Sequence, residues 1–417
     1  MLYGTERFFE YDGAVFFKYF DFAFENINRV ANIMHIQLNA PQFDIVLPVG
    51  ISFYIFQALG YTIDVYRKDI YAEKNFFRYA LFVSFFPQLV AGPIERSKNL
   101  LKQLAVPGKL KFDNFREGFL LMLWGYFLKV VLADRIAIFV DTVYGENWKN
   151  YDGIYFIVAT VLFAIQIYCD FYGYSVIAVG TAKILDISLM DNFNAPYLSQ
   201  TTSEFWRRWH ISLSSWFRDY LYIPLGGNRK GRLRKYLNIL ITFTASGLWH
   251  GASWTYLVWG LLNGIYQVTG DILKPVRKYA AKILGIHPGM LGSKIIGAIG
   301  TFICIEISWI FFRSSGIAMA LHVIKQILVT KQPWVLFDGS LYKCGIDQKN
   351  FTLMLICIAI LFGADILRYK KVTVSKIILR QDWWFQVIVY PVIVLGILLF
   401  GIWGGTFDAS GFICFQF

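Results

Sequence analysis

The residue of this sequence best placed for chemistry is a histidine between small residues, in the stretch Ser-Gly-Leu-Trp-His-Gly-Ala-Ser-Trp at 246–254. Glycines on both sides of His250 let a ligand or another helix approach the imidazole closely. A histidine buried in a medium of low dielectric stays neutral and can accept a proton from a hydroxyl group, as acyl transfer to an alcohol requires. The alternative is a histidine that packs between helices and bonds a carbonyl group, and composition alone favours this alternative.

A second stretch, residues 203–220, combines arginines with many aromatic side chains and contains His210. At 100° per residue, Arg207, Ser214 and Arg218 fall on one stripe of a helix, whereas His210 falls on the apolar side. Arginines on the cytoplasmic face can hold the phosphates of an acyl donor through forked hydrogen bonds. Anchoring to lipid headgroups is the alternative and, from this pattern alone, the slightly favoured one.

Several ionisable side chains lie in apolar stretches, where a charge is costly and indicates a function or a structural partner. For Asp134 and Arg135 the favoured interpretation is snorkelling at the end of a span. Glu306 and Arg313 lie two turns apart on one helix face, which favours a structural ion pair. Asp170 either orients a catalytic group or bonds a neighbouring helix. The remaining histidines are expected to be solvated: His35, His287 and His322.

The composition requires an apolar solvent for most of the chain. Of the 417 residues, 56% are hydrophobic and 16% charged, against roughly 45–50% and about 25% in soluble domains. We therefore predict a polytopic membrane protein. The excess of 40 Lys and Arg over 28 Asp and Glu is typical of cytoplasmic loops and does not indicate a nucleic-acid partner. The five cysteines lie far apart, so neither a disulfide framework nor a metal site nor a bound cofactor is predicted.

Apolar stretches of about 20 residues are needed to position these groups in a bilayer. The candidate spans are 44–66, 76–94, 115–141, 153–182, 236–250, 253–271, 292–313, 349–366 and 386–404. Residues 200–226 suit an interfacial or re-entrant segment. That segment begins with Thr201 and Glu204, the pattern of a capping box. No repeat or soluble domain is visible, so residues 1–417 are expected to form one membrane domain.

Loop charges orient these spans, because cytoplasmic connections retain Lys and Arg. Basic residues collect at 229–235, 274–282 and 368–380, on every second connection. The loops at 142–152 and 314–348 are mixed in sign and are expected to face outside. The histidine stretches at 210 and 250 then lie between a basic inner face and an outer face.

Five motifs of the sequence resemble those of the membrane-bound O-acyltransferase family, and within it the alginate O-acetyltransferase branch. They are LPVGISFY at 47–54, PQLVAGPI at 87–94, EFWRRWHISLS at 204–214, RDYLYIPLGGNR at 218–229 and GLWHGA at 247–252. The resemblance runs from about Phe17 to Phe417. It implies a helical bundle with re-entrant segments, in which a cytoplasmic funnel for the donor and an outer funnel for the acceptor meet near His250. It also implies that His210 contributes to donor binding or catalysis.

Three departures from that branch are visible. Its members usually begin with further membrane segments before the part that matches Phe17, so this chain is expected to lack them. The motif Asp-Phe-Tyr-Gly-Tyr-Ser-Val at 170–176 ends in Val176, where the branch commonly has a second Asp. Asn263 stands where a His is often found, and an amide can hydrogen-bond but cannot shuttle a proton.

The resulting hypothesis is an O-acetyltransferase of the cell membrane. It takes an acetyl group from a cytoplasmic thioester, acetyl-CoA, and passes it to hydroxyls of an extracytoplasmic polysaccharide or cell-wall glycan, directly or through an extracytoplasmic esterase-like partner. Membrane lipid is the other expected partner. The assigned residues are His250 and His210 as catalytic, Arg207, Arg218 and Ser214 as donor-binding, and Trp249, Asp170 and Asn263 as supporting. The alternatives are D-alanyl or other acyl transfer to a cell-wall polymer, a glycan transporter or flippase, and an inactive relative.

Overall fold

The computed structural model describes residues 19–20, 22–36, 50–89, 92–287, 289–329 and 332–403, and over these residues the regular structure is entirely helical. Residues 22–33 are helical. The helices that follow are α1 (Ile51–Tyr66), α2 (Phe76–Val83), α3 (Ser97–Leu104), α4 (Phe112–Tyr126), α5 (Asp134–Tyr144), α6 (Gly153–Ile184), α7 (Thr202–Arg208) and α8 (Ile211–Phe217). They are followed by α9 (Arg232–His250), α10 (Trp254–Ile272), α11 (Lys274–Ile283), α12 (Leu291–Arg313), α13 (Ile317–Val329), α14 (Gln348–Tyr369), α15 (Val374–Leu379) and α16 (Trp383–Phe400).

Helix α6 is the centre of the bundle. It is 32 residues long and carries buried side chains on every side, because α4, α5, α12 and α13 pack around it. The helix begins after Asp152, whose side chain accepts a hydrogen bond from the backbone of Ile154 and so satisfies one free donor of the first turn. A helix that is apolar all round, as α6 is, belongs in the interior of a bundle.

Helices α4 and α6 approach each other at glycines. A Cβ added at Gly125 would lie 2.5 Å from the carbonyl oxygen of Gly173, and one at Gly180 would lie 2.6 Å from that of Gly118. Only glycine permits backbones to come this close. The approach holds the π-helical turn Phe127–Ala133, which joins α4 to α5, against α6.

Helices α9 and α10 form a hairpin that presents the candidate base. α9 ends at His250, and α10 begins at Trp254 with the side chain of Ser253 capping its first turn. A Cβ at Gly260 would lie 3.1 Å from the Cα of Gly247, so the two helices touch at small residues. The tight connection places the imidazole at the turn of the hairpin.

Among the described residues, α6, α12, α14 and α16 are long and apolar enough to cross a membrane. Each coincides with a predicted span. Helices also occupy the predicted spans 115–141, 236–250 and 253–271, and α1 fills 51–66 of the span 44–66, whose residues before Gly50 lie outside the described part. The protein is an all-α, polytopic membrane protein, as the composition and the family resemblance together predicted.

The predicted span at 76–94 is wrong. Helix α2 has only eight residues, which rise about 12 Å and cannot cross about 30 Å of hydrocarbon. Pro87 and Pro93 explain its early end, because proline lacks a backbone donor and disfavours helix at the preceding residue. The predicted outer loop at 314–348 also differs, since it contains α13, which packs on α6.

Candidate active site

The polar and aromatic stretch around His210 is broken at that residue. Helix α7 begins as predicted, with the side chain of Thr201 accepting a hydrogen bond from the backbone of Glu204 (3.1 Å), which confirms this part of the capping box. The helix ends at Arg208. His210 then adopts a left-handed backbone conformation (φ 43°), which is strained for a residue with a side chain and is typical of functional sites.

Because of this break, Arg207, Ser214 and Arg218 do not lie on one helix, and the predicted stripe is wrong. Arg207 is exposed on α7. The Ser214 hydroxyl, on α8, donates to the carbonyl oxygen of Trp209 (3.2 Å). Arg218 is exposed on a π-helical turn after α8 and pairs with Asp219 (2.8 Å). Helical periodicity fails here because the left-handed residue redirects the chain between α7 and α8.

His210 itself lies between the spanning helices and is only 2% exposed. The ring of Phe171 meets it edge-on, with the ring centroids 4.5 Å apart. Nδ1 lies 3.5 Å from the Ser212 hydroxyl, and Nε2 is buried with no hydrogen-bond partner among the described residues. Burial lowers the pKa of His210 well below its ordinary value, and the neighbouring His250 lowers this pKa further. The ring is therefore neutral at physiological pH.

His250 belongs to the same aromatic cluster. Its ring centroid lies 4.7 Å from that of Trp249, 5.0 Å from Trp259 and 5.4 Å from Phe312. Trp249 also contacts His210, at 6.4 Å. The structure thus brings together His250, His210 and Trp249, and His250 is partly accessible rather than sealed.

Asn263 supports this cluster from α10. It is fully buried, its side-chain oxygen accepts a hydrogen bond from Trp206 Nε1 (3.1 Å), and its side-chain nitrogen donates to the carbonyl oxygen of Trp259 (2.9 Å). The amide therefore ties Trp206 to the α10 backbone beside Trp259. Both contacts are positioning contacts, which an amide can make.

Asp170 takes part in a buried triad of charges. Lys129, in the π-helical turn Phe127–Ala133, places its ammonium 2.6 Å from Asp170 and 2.8 Å from Asp134. Both carboxylates are almost completely buried. The structure therefore supports the second interpretation of Asp170, a bond to a neighbouring element. The snorkelling interpretation of Asp134 is wrong, since its partner lies inside the protein.

Two further expectations about buried charges fail. Arg135 is buried as well and donates to the carbonyl oxygen of Phe400 (2.7 Å), so it does not snorkel. Arg313 pairs with Asp141 (2.6 Å) and not with Glu306. Both carboxyl oxygens of Glu306 are buried and lack a partner within the described residues. In each case the partner comes from a distant element, which helical spacing cannot reveal.

The remaining histidines lie away from this cluster. His35 and His287 are exposed, as expected. His322 differs from the expectation, because its Nε2 atom is buried and its ring stands edge-on to Trp148, with centroids 4.8 Å apart.

A cluster of three arginines surrounds the residues that follow α8. Arg96 pairs with Asp219 (2.9 Å), and Arg67 donates to the backbone oxygen of the same residue (3.2 Å). Both guanidinium groups lie over the ring of Tyr220, at 4.7 and 5.4 Å. Arg218 completes what we call the arginine cluster (Arg67, Arg96 and Arg218). Arg96 and Arg218 pair with the Asp219 carboxylate, and the Asp64 carboxylate accepts a hydrogen bond from Tyr220 beside them.

Sequence reasoning missed Arg67 and Arg96. Their partner Asp219 lies 152 and 123 positions further along the chain, so no local pattern joins them. The one available signal was that Arg96 directly follows the motif PQLVAGPIE. One guanidinium nitrogen of Arg96, Nη1, is buried without a hydrogen-bond partner among the described residues, which leaves a donor for a bound anion.

A continuous row of rings connects the arginine cluster to the two histidines. Tyr220 contacts Trp216 (4.9 Å), Trp216 contacts Phe56 (4.2 Å), and Phe56 contacts Trp249 (5.1 Å). Trp249 in turn contacts His250. Packed aromatic rings thus connect the arginine cluster to the two histidines.

The described residues thus form a helical membrane bundle in which two histidines contact one tryptophan. The model of the membrane-bound O-acyltransferase (MBOAT) family matches residues 71–312. The chain therefore belongs to this family, which confirms the resemblance in the sequence motifs.

Three relatives of the chain are named as enzymes that transfer acyl groups. The chain is 37% identical over 312 residues to the probable alginate O-acetylase AlgI of Pseudomonas syringae pv. tomato, covering 73% of this chain and 56% of that protein. It is 35% identical over 336 residues to the peptidoglycan O-acetyltransferase of Helicobacter pylori (74% and 61%). It is 28% identical over 284 residues to the teichoic acid D-alanyltransferase of Streptococcus thermophilus (63% and 68%). The chain thus spans only 56% of the length of the first of these relatives.

Proposed function

We propose that the protein is an O-acetyltransferase of the cell membrane. It moves an acetyl group from a cytoplasmic thioester, acetyl-CoA, to a hydroxyl of an extracytoplasmic polysaccharide or cell-wall glycan. Family membership and the names of two relatives support the reaction class. The observation that carries the proposal is the pair of histidines around Trp249, one buried and neutral and the other partly accessible at a helix turn.

His250 is the general base of the proposed reaction. Its imidazole accepts the proton of the acceptor hydroxyl while the hydroxyl oxygen attacks the thioester carbonyl carbon. The carbon–sulfur bond then breaks, and the leaving thiolate takes the proton back from the imidazolium. No net proton is released. His210, whose Nε2 has no partner in the described part of the chain, serves the donor end.

The arginine cluster is the proposed anchor for the donor's phosphates. Arg218 keeps the role predicted for it, and Arg67 and Arg96 join it, while Arg207 and Ser214 remain donor-side candidates. Guanidinium groups bind phosphate through forked, charge-assisted hydrogen bonds. The cluster precedes the basic segment 229–235, which favours a cytoplasmic position. From there, the row of rings leads to the histidines.

The acceptor in this reaction is a glycan hydroxyl on the extracytoplasmic side. The acetyl group passes to the glycan directly or through an extracytoplasmic esterase-like partner, and Trp249, Asp170 and Asn263 support the site by packing and hydrogen bonding.

A second candidate function is D-alanyl transfer to a cell-wall polymer, which the 28% identical relative favours. The two differ in the acyl thioester that the enzyme consumes.

The test uses the purified full chain in detergent or liposomes with radiolabelled acetyl-CoA and, separately, a D-alanyl thioester. We expect release of free thiol from acetyl-CoA together with labelling of an added glycan. His250→Ala should reduce this rate by about 10²–10⁴-fold. His322→Ala is the matched control, since that ring is partly buried but lies outside the cluster. A wild-type rate in the His250→Ala protein would eliminate the assignment.

A further inference from the structure

Trp259, whose ring contacts that of His250, carries a hydrogen-bond donor that has no partner among the described residues. Trp259 is 1% exposed, and its indole nitrogen Nε1 has no partner among the described residues. The ring lies 5.0 Å from that of His250, at 88° to it. Its other ring neighbours are Trp206, Trp309 and Phe312.

Trp309 Nε1 is likewise buried without a hydrogen-bond partner among the described residues, but it lies behind Trp259 in a stacked contact (6.0 Å), whereas two other nearby indoles have partners. Trp206 Nε1 donates to the side-chain oxygen of Asn263 (3.1 Å), and Trp216 Nε1 donates to the carbonyl oxygen of Phe56 (3.0 Å). Buried tryptophan N–H groups normally have a partner, because an unmade hydrogen bond costs free energy. An orphaned donor in contact with a candidate base indicates a partner that arrives with the substrate.

The chemistry of acyl transfer names that partner. When the hydroxyl oxygen attacks the thioester, the electrons of the carbonyl double bond move onto its oxygen, which becomes negatively charged. A donor held in a water-poor site stabilises this charge in the transition state more than it stabilises the ground state. The attacking group and the base must both lie at the same carbonyl, so the donor must lie close to the base.

We propose that the Trp259 N–H donates a hydrogen bond to the thioester carbonyl oxygen during acyl transfer, which makes Trp259 a catalytic residue. This inference rests on the proposed function. The N–H keeps its proton throughout, since the hydroxyl proton moves only to His250 and then to the leaving thiolate. The acyl group is thus held between His250, which accepts the hydroxyl proton, and the Trp259 N–H, which donates a hydrogen bond.

The fold fixes this indole in advance. The backbone carbonyl oxygen of Trp259 accepts a hydrogen bond from the Asn263 side chain (2.9 Å). The next residue, Gly260, forms the close contact of α10 with α9 at Gly247. The helix that carries the base and the helix that carries the donor are therefore held in register. Such preorganisation is what gives an oxyanion donor its effect.

The test removes the donor and keeps the ring. Trp259 is replaced in the full chain by 3-benzothienylalanine, an isostere with sulfur in place of the N–H, and separately by phenylalanine. We expect kcat to fall about 10²–10³-fold with the isostere, while KM for acetyl-CoA and the binding of an unreactive CoA thioether change by less than about twofold. The same isostere at Trp206, whose N–H bonds Asn263, is the control and should leave kcat within about tenfold.

Every outcome decides the question. A wild-type kcat in the Trp259 isostere protein overturns the inference, and so does an equal rise of KM, which would mean that the N–H acts in substrate binding alone. The proposed function is tested separately, because it fails if the wild-type protein does not release thiol from acetyl-CoA. If the phenylalanine variant does not fold, the isostere, which has nearly the same shape, still gives the answer.

Discussion

Removal of the ammonium from the buried charge triad is the perturbation whose size follows most directly from the structure. Lys129→Met leaves Asp134 and Asp170 without the group that lies 2.8 and 2.6 Å away. Both carboxylates are at most 4% exposed, so water cannot replace it. Removing one partner of a buried ion pair costs about 3–5 kcal/mol, because a charge is left uncompensated. We expect Lys129→Met to lower the free energy of unfolding by this amount.

Neutralising the whole triad should reverse most of that loss. The triple variant Lys129→Met, Asp134→Asn, Asp170→Asn contains no uncompensated charge, and replacing a complete buried ion pair by neutral groups is often nearly neutral in free energy. Lys111→Met is the control. Its ammonium pairs with Asp186 on the surface and is 57% exposed, so its removal should cost less than about 1 kcal/mol.

The assay is equilibrium unfolding in mixed micelles of rising SDS content, followed by tryptophan fluorescence and by retention of the folded peak in size-exclusion chromatography. The expected order of stability is wild type, then the triple variant, then Lys129→Met. If Lys129→Met unfolds at the wild-type SDS fraction, the triad does not stabilise the fold. If the triple variant is as unstable as the single one, uncompensated charge is not the cause of the loss.

Two further predictions concern the donor site and pH. Arg96→Gln should raise KM for acetyl-CoA about tenfold, the value of one charge-assisted hydrogen bond, and leave KM for acetyl-pantetheine, which has no phosphate, unchanged; Arg116→Gln is the control, and an equal rise with both donors would indicate a packing role. The pKa of His210 is lower in the folded protein than its unfolded value, so acid favours the unfolded chain, which binds the proton first. The free energy of unfolding should therefore fall as pH drops below about 6.5, and His210→Phe should flatten this dependence between pH 7 and 5; an unchanged slope would show that another group titrates.

Local features of the sequence predicted the structure best. Long apolar runs gave the spans of α6, α12, α14 and α16, because burial of twenty apolar residues outweighs every competing preference. The cap at Thr201 was also predicted, since its hydrogen bond joins residues three apart. The small residues before His250 also indicated a close contact, which α9 makes with α10 at Gly247 and Gly260, whereas the catalytic role of His250 stays a prediction.

Distant partners could not be predicted from spacing. Arg313 and Glu306 fit an ion pair along one helix, yet Arg313 bonds Asp141 on another element. The arginine cluster likewise joins three separate segments, and nothing in a single segment indicates it. The left-handed residue at His210 interrupts a sequence that reads as continuous helix, because periodicity carries no information about a single strained residue.

The π-helical turn between α4 and α5 has an implication for how this protein can change over time. A π-helical turn holds more residues than an α-helical turn, so α5 is rotated about its axis relative to a straight continuation of α4. Loss of one residue there would rotate α5 by about 100° and swing Asp134 away from Lys129. A change in the length of this connection would therefore break the charge triad even where Lys129 and Asp134 are both kept.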